Sequence, residues 1–248
     1  MIVTGGPLLP SSSSAIRLAA MSHWENRAEP KWKAFRFNQP YAKGLARLKS
    51  EVLEKTDFDP AVLWQWGTMQ AMALIEVLKD AEETFGEAGQ KMVYGALRKI
   101  GLDVGRQILA GTTVPADMSE AEFVSFYATV INRIAYASLE APRIDSNQKV
   151  SFDILWCPHQ DHYGAFDCRV QRYFVQGMLD AAAEIGRFTA SAFEVRFDST
   201  IPAGAETCHF TIWQGSEVER GAWQEKTALL EKKALEHAAQ RAKERASR

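Results

Sequence analysis

The hydrophobic period turns from helical to alternating near Pro142, and that change limits the fold more than any other feature. From Asp59 to about Ile134 the apolar residues recur at helical spacing; after Pro142 they alternate. Asp59-Pro60 is a helix start, since Asp caps orphan amides and Pro is tolerated at the first helical position. Val62, Leu63, Trp66, Met69, Met72, Ala73, Leu74 and Val77 then predict a buried amphipathic helix to about Glu83. A second helix from Gly86 carries Met92, Val93, Ala96, Leu97 and Ile100, with Gly101 as a break or kink before Val104, Ile108 and Leu109. Ser119-Glu120-Ala121-Glu122 is a capping box, and Phe123, Phe126, Tyr127, Val130, Ile131 and Ile134 form the stripe of a third helix.

Beyond Ala141-Pro142, where the helical region ends, Val150, Phe152, Ile154 and Trp156 alternate with Ser151, Asp153 and Leu155, as in a half-buried strand. Tyr163 to Ile185 reads as a helix stopped by Gly186, with Phe166, Val170, Tyr173, Phe174, Met178 and Leu179 inward. Phe193, Val195 and Phe197 mark a second strand, Cys208, Phe210 and Ile212 a third, and Ile201-Pro202-Ala203-Gly204 the turn of a hairpin between them. From Gly221 onward Ala, Glu, Lys, Arg and Gln dominate, with Leu229, Leu230, Ala234 and Ala238 at helical spacing. The fold class is therefore α+β: an amino-terminal helical bundle packed on a small, mainly antiparallel sheet with a crossing helix, plus a long carboxy-terminal helix. The expected organisation is a leader over residues 1–22, one α+β domain over 23–220 and an exposed helix over 221–248, with Met21 an alternative start.

Bulk properties narrow the function classes. A net charge of -2, from 29 basic and 31 acidic residues, does not advertise nucleic acid or an anionic membrane as partner. No apolar run is long enough to span a bilayer, and residues 1–20 lack a secretory signal, so the expected location is cytoplasmic. Three cysteines in 248 residues argue against a disulfide framework and for free thiols.

All three cysteines fall between Asn147 and Trp213, together with His159, His162 and His209. Cys157 ends a strand just before Pro158, where catalytic groups commonly project from a rigid scaffold. A thiol nucleophile needs a base; His159 and His162 are near in sequence, and Asp161 could orient one of them. The competing reading is a small buried hydrophobe beside a polar loop. Cys157, His159, His162 and Cys168 also offer zinc ligand types, without the paired spacing of structural zinc sites. Alternation turns Cys208 into the core and His209 away from it, and makes Asp153 and Arg196 solvent-facing. Asp180 sits within an otherwise apolar helix, on its polar face or aimed at a pocket.

Thr84-Phe85-Gly86-Glu87-Ala88-Gly89 and Ile100-Gly101-Leu102-Asp103-Val104-Gly105 resemble the front half of the L-2-amino-thiazoline-4-carboxylic acid hydrolase-like proteins. Cys157-Pro158, Asp180 and Gly204 to Phe210 resemble their back half, whose closing Gly-Asp-x-x-Cys-x-Phe element is similar to that of 4-vinyl reductase-type ligand-binding domains. The resemblance spans roughly residues 60 to 213 and departs at Ala205, where the family has Asp, and at Gly177, where members carry cysteine. It implies a hydrolase that opens a small cyclic amidine at a C–N bond. In that reading Cys157 is the nucleophile, His159 or His162 the base, and Asp180 a second acid–base or orienting group; Asp161, Cys208, His209 and Trp156 contact substrate. No cofactor is called for. The alternatives are a non-catalytic small-molecule-binding domain and a zinc-dependent hydrolase using the Cys157–Cys168 cluster. The apolar helices of the amino-terminal half and the carboxy-terminal helix are both surfaces for a homodimer.

Overall fold

The computed structural model describes residues 37–55, 57–184 and 193–247. The expected leader, the Met21 start and the Gly186 helix stop lie outside the described residues. The elements run α1 (Ala42–Arg47), continued by a π-helical turn (Leu48–Leu53), α2 (Ala61–Phe85), α3 (Glu87–Leu109), α4 (Glu120–Ala135), β1 (Leu139–Ser146), β2 (Lys149–Trp156), α5 (Arg169–Glu184), β3 (Glu194–Ser199), β4 (Cys208–Trp213) and α6 (Glu217–Ala246). The strands form one antiparallel sheet in the order β1-β2-β4-β3. The α+β class with a long carboxy-terminal helix holds.

The sheet's inner face carries Val150, Phe152 and Ile154 from β2, Val195 and Phe197 from β3, and Cys208, Phe210 and Ile212 from β4. Phe152 and Phe210 sit opposite each other and stack at 5.1 Å, and Phe197 stacks on Phe210 at 5.4 Å. Stacked pairs of this kind fix strand register as well as burying area. Helix α4 lies in the same core, with Phe123, Phe126, Tyr127 and Ile131 wholly buried. Its capping box is formed as its sequence requires: Ser119 Oγ accepts from the Glu122 N–H, and Glu122 accepts from the Ser119 N–H.

Four expectations change. Gly101 does not break α3, which runs on to Leu109; a Cβ there would lie 2.0 Å from the Phe174 carbonyl oxygen. Gly177 on α5 answers it, since a Cβ would lie 2.0 Å from the Arg98 carbonyl oxygen. The two glycines are reciprocal notches that bring the α3 and α5 backbones together. Second, β1 was hidden by Pro142; it is an edge strand, where a missing N–H is tolerated. Third, α5 begins at Arg169 rather than Tyr163, because residues 157–168 form a compact loop.

Fourth, α2 is not a buried helix along its length. Only Ile75, Leu78, Ala81 and Glu82 are buried, whereas Val62, Leu63, Trp64, Trp66, Met69 and Val77 are exposed. Burial in the second half is anchored by a polar network. The buried Glu82 carboxylate accepts from Gln90 at 2.7 Å and from Arg169 at 2.5 Å, and Arg169 also donates to the Tyr94 hydroxyl at 2.6 Å. Helix α6, capped by Ser216 and Glu219, docks through Trp223, Thr227, Ala234 and Ala238, while Leu229 and Leu230 face outward.

Candidate functional site

All three cysteines line one cavity of about 60 Å³, between the end of the sheet, the carboxy-terminal turn of α4, the 157–168 loop and the start of α5. Cys157 arrives from the end of β2, Cys168 from the residue before α5, and Cys208 from the first position of β4, opposite Ile154. Their walls are completed by Asn132, Tyr136 and Ser138, by His159 and Tyr163, by Gln171 and Val175, and by Phe197 and Phe210.

Local hydrogen bonds shape each wall. The Cys157 N–H donates to Gln160 Oε1 at 3.1 Å, and the Gln160 N–H returns to the Cys157 carbonyl at 3.2 Å. The N–H groups of His162 and Tyr163 both donate to the His159 carbonyl at 3.0 Å, and the His159 ring stacks on Tyr163 at 5.0 Å. On the other side Ser138 folds back, its N–H and hydroxyl donating to the Asn132 carbonyl at 3.1 Å. This turn holds Ala137 at φ 47, a left-handed conformation uncommon for a residue with a Cβ and flanked here by two cavity residues.

Polar atoms stand out in this apolar setting. Asn132 is 3% exposed, and its Nδ2 has no hydrogen-bond partner; His159 Nδ1 is likewise buried and unpartnered. An orphaned buried polar group costs on the order of 1–3 kcal/mol, a cost that no partner in the described chain offsets at these two nitrogens, while the surface turned to the cavity is apolar. Burial also sets the ionisation of the walls. It pushes the Cys157 thiol up, against the pull of the His159 and Gln160 backbone N–H groups. Cys168 is driven up much further by its burial, with the other two thiols adding to the effect. Cys208 rises for the same reason, opposed by the Ile201 N–H, which donates to its Sγ at 3.2 Å. The His159 imidazole is pushed down by desolvation first and by His162 second.

Of the residues singled out from sequence, the cavity gathers Cys157, His159 and Cys208, with Cys168. The others stand elsewhere. His162 is exposed, its ring 6.3 Å from Trp64, and Asp161 and Trp156 are exposed as well. Asp180 holds Arg98 of α3 in a two-pronged ion pair at 2.6 and 3.1 Å. His209 faces the opposite side of the sheet, as alternation requires, with its Nδ1 2.8 Å from Asp153 Oδ1. There Asp153 pairs with Arg143 at 3.0 Å and Arg196 with Asp198 at 2.8 Å, so both are half-buried partners rather than freely solvated groups. Among the described residues, no group of three or more His, Cys, Asp or Glu side chains is placed to hold a metal ion. The Cys157, His159, His162 and Cys168 set does not converge, because the loop turns His162 outward.

Sequence reasoning missed Asn132, Tyr136, Ser138, Tyr163 and Gln171. One signal was present: Ser125, Thr129 and Asn132 recur at i, i+4 and i+7 among the apolar residues in the middle of α4, and all three are buried. The absence of cysteine at 177 now has a steric reason, because any Cβ there would strike the Arg98 carbonyl.

The chain is 53% identical over 221 residues to an uncharacterized protein of Archaeoglobus fulgidus, across 88% of this chain and 97% of that one. The two chains belong to one family. Identity at this level, spread over nearly the whole length, means that the archaeal relative shares the fold described above. No family model matches the chain. Among solved structures, a trafficking protein particle complex subunit 3 from Naegleria fowleri, covalently bound to palmitic acid, aligns over 60% of this chain and 95% of that one. The TM-score is 0.45 and the identity 11%, too slight a likeness to inform the site.

Proposed function

We propose that this chain is a small-molecule-binding domain whose ligand occupies the three-cysteine cavity. The observation that carries the reading is an internal cavity whose surface is apolar, walled by three thiols, aromatic rings and aliphatic side chains. Mostly apolar sites with a few placed polar groups are the usual form of ligand pockets. The fitting guest is a small apolar molecule, since the cavity is well under the roughly 150 Å³ that takes a benzene ring. Xenon under pressure, followed by amide chemical shifts, provides the test. Shifts are expected to gather around Cys157, Val175 and Cys208 and to be lost in Val175→Phe, which fills the cavity. No localised shifts, or shifts that persist in Val175→Phe, would remove the reading.

Binding is favoured over catalysis by the state of the thiols. A cysteine nucleophile works as thiolate, and burial here favours the neutral thiol at all three positions. Asp180, the expected second acid–base group, is held by Arg98 outside the cavity wall. One observation supports the hydrolase as a second reading: the backbone N–H groups of His159 and Gln160 act on Cys157 in the sense that stabilises a thiolate. Ring-opened product from 2-amino-thiazoline-4-carboxylate, followed by mass spectrometry and lost in Cys157→Ser, would establish it. No turnover above the Cys157→Ser level would dismiss it.

A further inference from the structure

Helix α2 has no charged residue from Ala61 to Ile75, a stretch that includes two tryptophans and two methionines. A helix apolar over most of its surface is normally covered. Here Trp66 and Met69 are each 61% exposed and Val77 56%, and Val62, Leu63 and Trp64 are exposed beside them. Taking ordinary side-chain areas, the four on one face, Val62, Trp66, Met69 and Val77, expose roughly 430 Å² together, the size of the largest patches on monomeric proteins. They supply about half of the roughly 800 Å² per partner that a stable pair buries, and the residues beside them add to it.

The exposed residues opposite the docked face (Ile75, Leu78, Ala81 and Glu82) form a seam: Val62, Trp66, Met69, Ala73 and Val77. Intervals of four, three, four and four are those of a helix-pairing stripe. The seam is also close to its own reverse. Turned end for end about Met69 and Gln70, Val62 falls on Val77 and Trp66 falls on Ala73.

We propose that this seam is the interface of a homodimer, with two copies of α2 antiparallel across a two-fold axis beside Met69. The large Trp66 of each copy then lies over the small Ala73 of the other, and Val62 over Val77, so knobs meet spaces. A two-fold sets identical patches against each other; no charges oppose between 61 and 75, and at each end, where Asp59 falls on Asp80, Arg245 of α6 lies 3.6 Å from Asp80. Interfaces with transient partners keep the polarity of the general surface, whereas homodimer interfaces are depleted in charge and rich in aromatic residues and Met. An anionic bilayer is the poorer occupant, because Asp57, Asp59, Glu76 and Asp80 flank the stretch at its two ends.

The test is sedimentation velocity of the full chain at micromolar concentration, beside the double variant Trp66→Glu, Met69→Glu. The parent protein is expected to sediment as a dimer and the variant as a monomer, with the variant's circular dichroism unchanged. A second measurement guards against a misfolded variant. Met69→Cys, beside the axis, is expected to give a disulfide-linked dimer when treated with oxidised glutathione, and Val218→Cys, exposed on α6, is not. A monomeric parent protein overturns the proposal, as does a dimer that survives the double variant or cross-links no better through Met69→Cys than through Val218→Cys. A monomer that co-sediments with phosphatidylcholine vesicles would overturn it in favour of a lipid surface.

Discussion

The α3–α5 seam and the first half of α2 are both apolar helix surfaces, yet they behave in opposite ways. At the seam, Gly101 and Gly177 let two backbones approach until a single added Cβ would touch a carbonyl oxygen, and Gly105 lies against Ala181 and the Tyr127 hydroxyl. In the first half of α2, Gly67 has open space where a Cβ would be, and tryptophans stand in solvent. Hydrophobic content does not separate the two. What separates them is whether a facing backbone can come within contact distance.

The sharpest way to break this contrast is Gly177→Ala. Its methyl would meet the Arg98 carbonyl at 2.0 Å, and because that neighbour is backbone it has little freedom to move. The cost is expected at or beyond the top of the about 1–3 kcal/mol typical of overpacking, read as loss of a cooperative thermal transition. Retention of the parent melting curve would show that the seam is looser than described.

Next comes Glu82→Ala, in the half of α2 that does dock. It would leave Arg169 buried without its carboxylate, at a cost of about 3–5 kcal/mol in urea unfolding. A smaller loss would mean that Tyr94 and water suffice to hold Arg169.

Alkaline pH examines the closed half as a whole. Burial raises the thiols of Cys157, Cys168 and Cys208, the hydroxyls of Tyr127, Tyr136 and Tyr163, and Tyr94 to about 12. The fold thus holds the protonated forms. Their contribution is complete below the unfolded values, about 8.5 for Cys and about 10 for Tyr, and is lost as pH rises from there toward the folded values. Melting temperature should hold from neutrality to about pH 8.5 and then fall, with alkylation of the cysteines by iodoacetamide lagging behind a free thiol. His159 has the opposite sign: its lowered value makes stability fall as pH drops below about 6.5.

The smallest effect belongs to the open half. Trp66→Ala, studied at a dilution that keeps the chain monomeric, should change unfolding free energy by no more than about 0.5 kcal/mol, as for an ordinary surface substitution. A large loss would place Trp66 in the monomer's core.

Much of the scaffold was legible because local patterns carried it. The Ser119 capping box, the alternation of Val150 to Ile154 and the Cys208–Phe210–Ile212 face each encode their own geometry within a few residues. Strand β1 was not legible, since Pro142 reads as a terminator unless the strand is known to lie at an edge. The site was legible in part. Alternation placed Cys208 inward and His209 outward, whereas the nearness of His162 to Cys157 in sequence was misleading, because a loop that turns within four residues can send neighbours apart. Asn132 lies 25 residues before Cys157, and only the packing of α4 against the sheet's end joins them.

By itself the sequence determined the α+β class, the change from helical to alternating period, the helix caps and the faces of the central strands, because these depend on interactions within a few residues. Tertiary structure alone decided that three cysteines share one cavity, that Asn132 and His159 in its wall keep unpartnered nitrogens, that Gly101 and Gly177 are notches, and that half of an apolar helix stays uncovered. Each of those depends on which surface meets which across long stretches of chain, and local periodicity holds no record of that meeting.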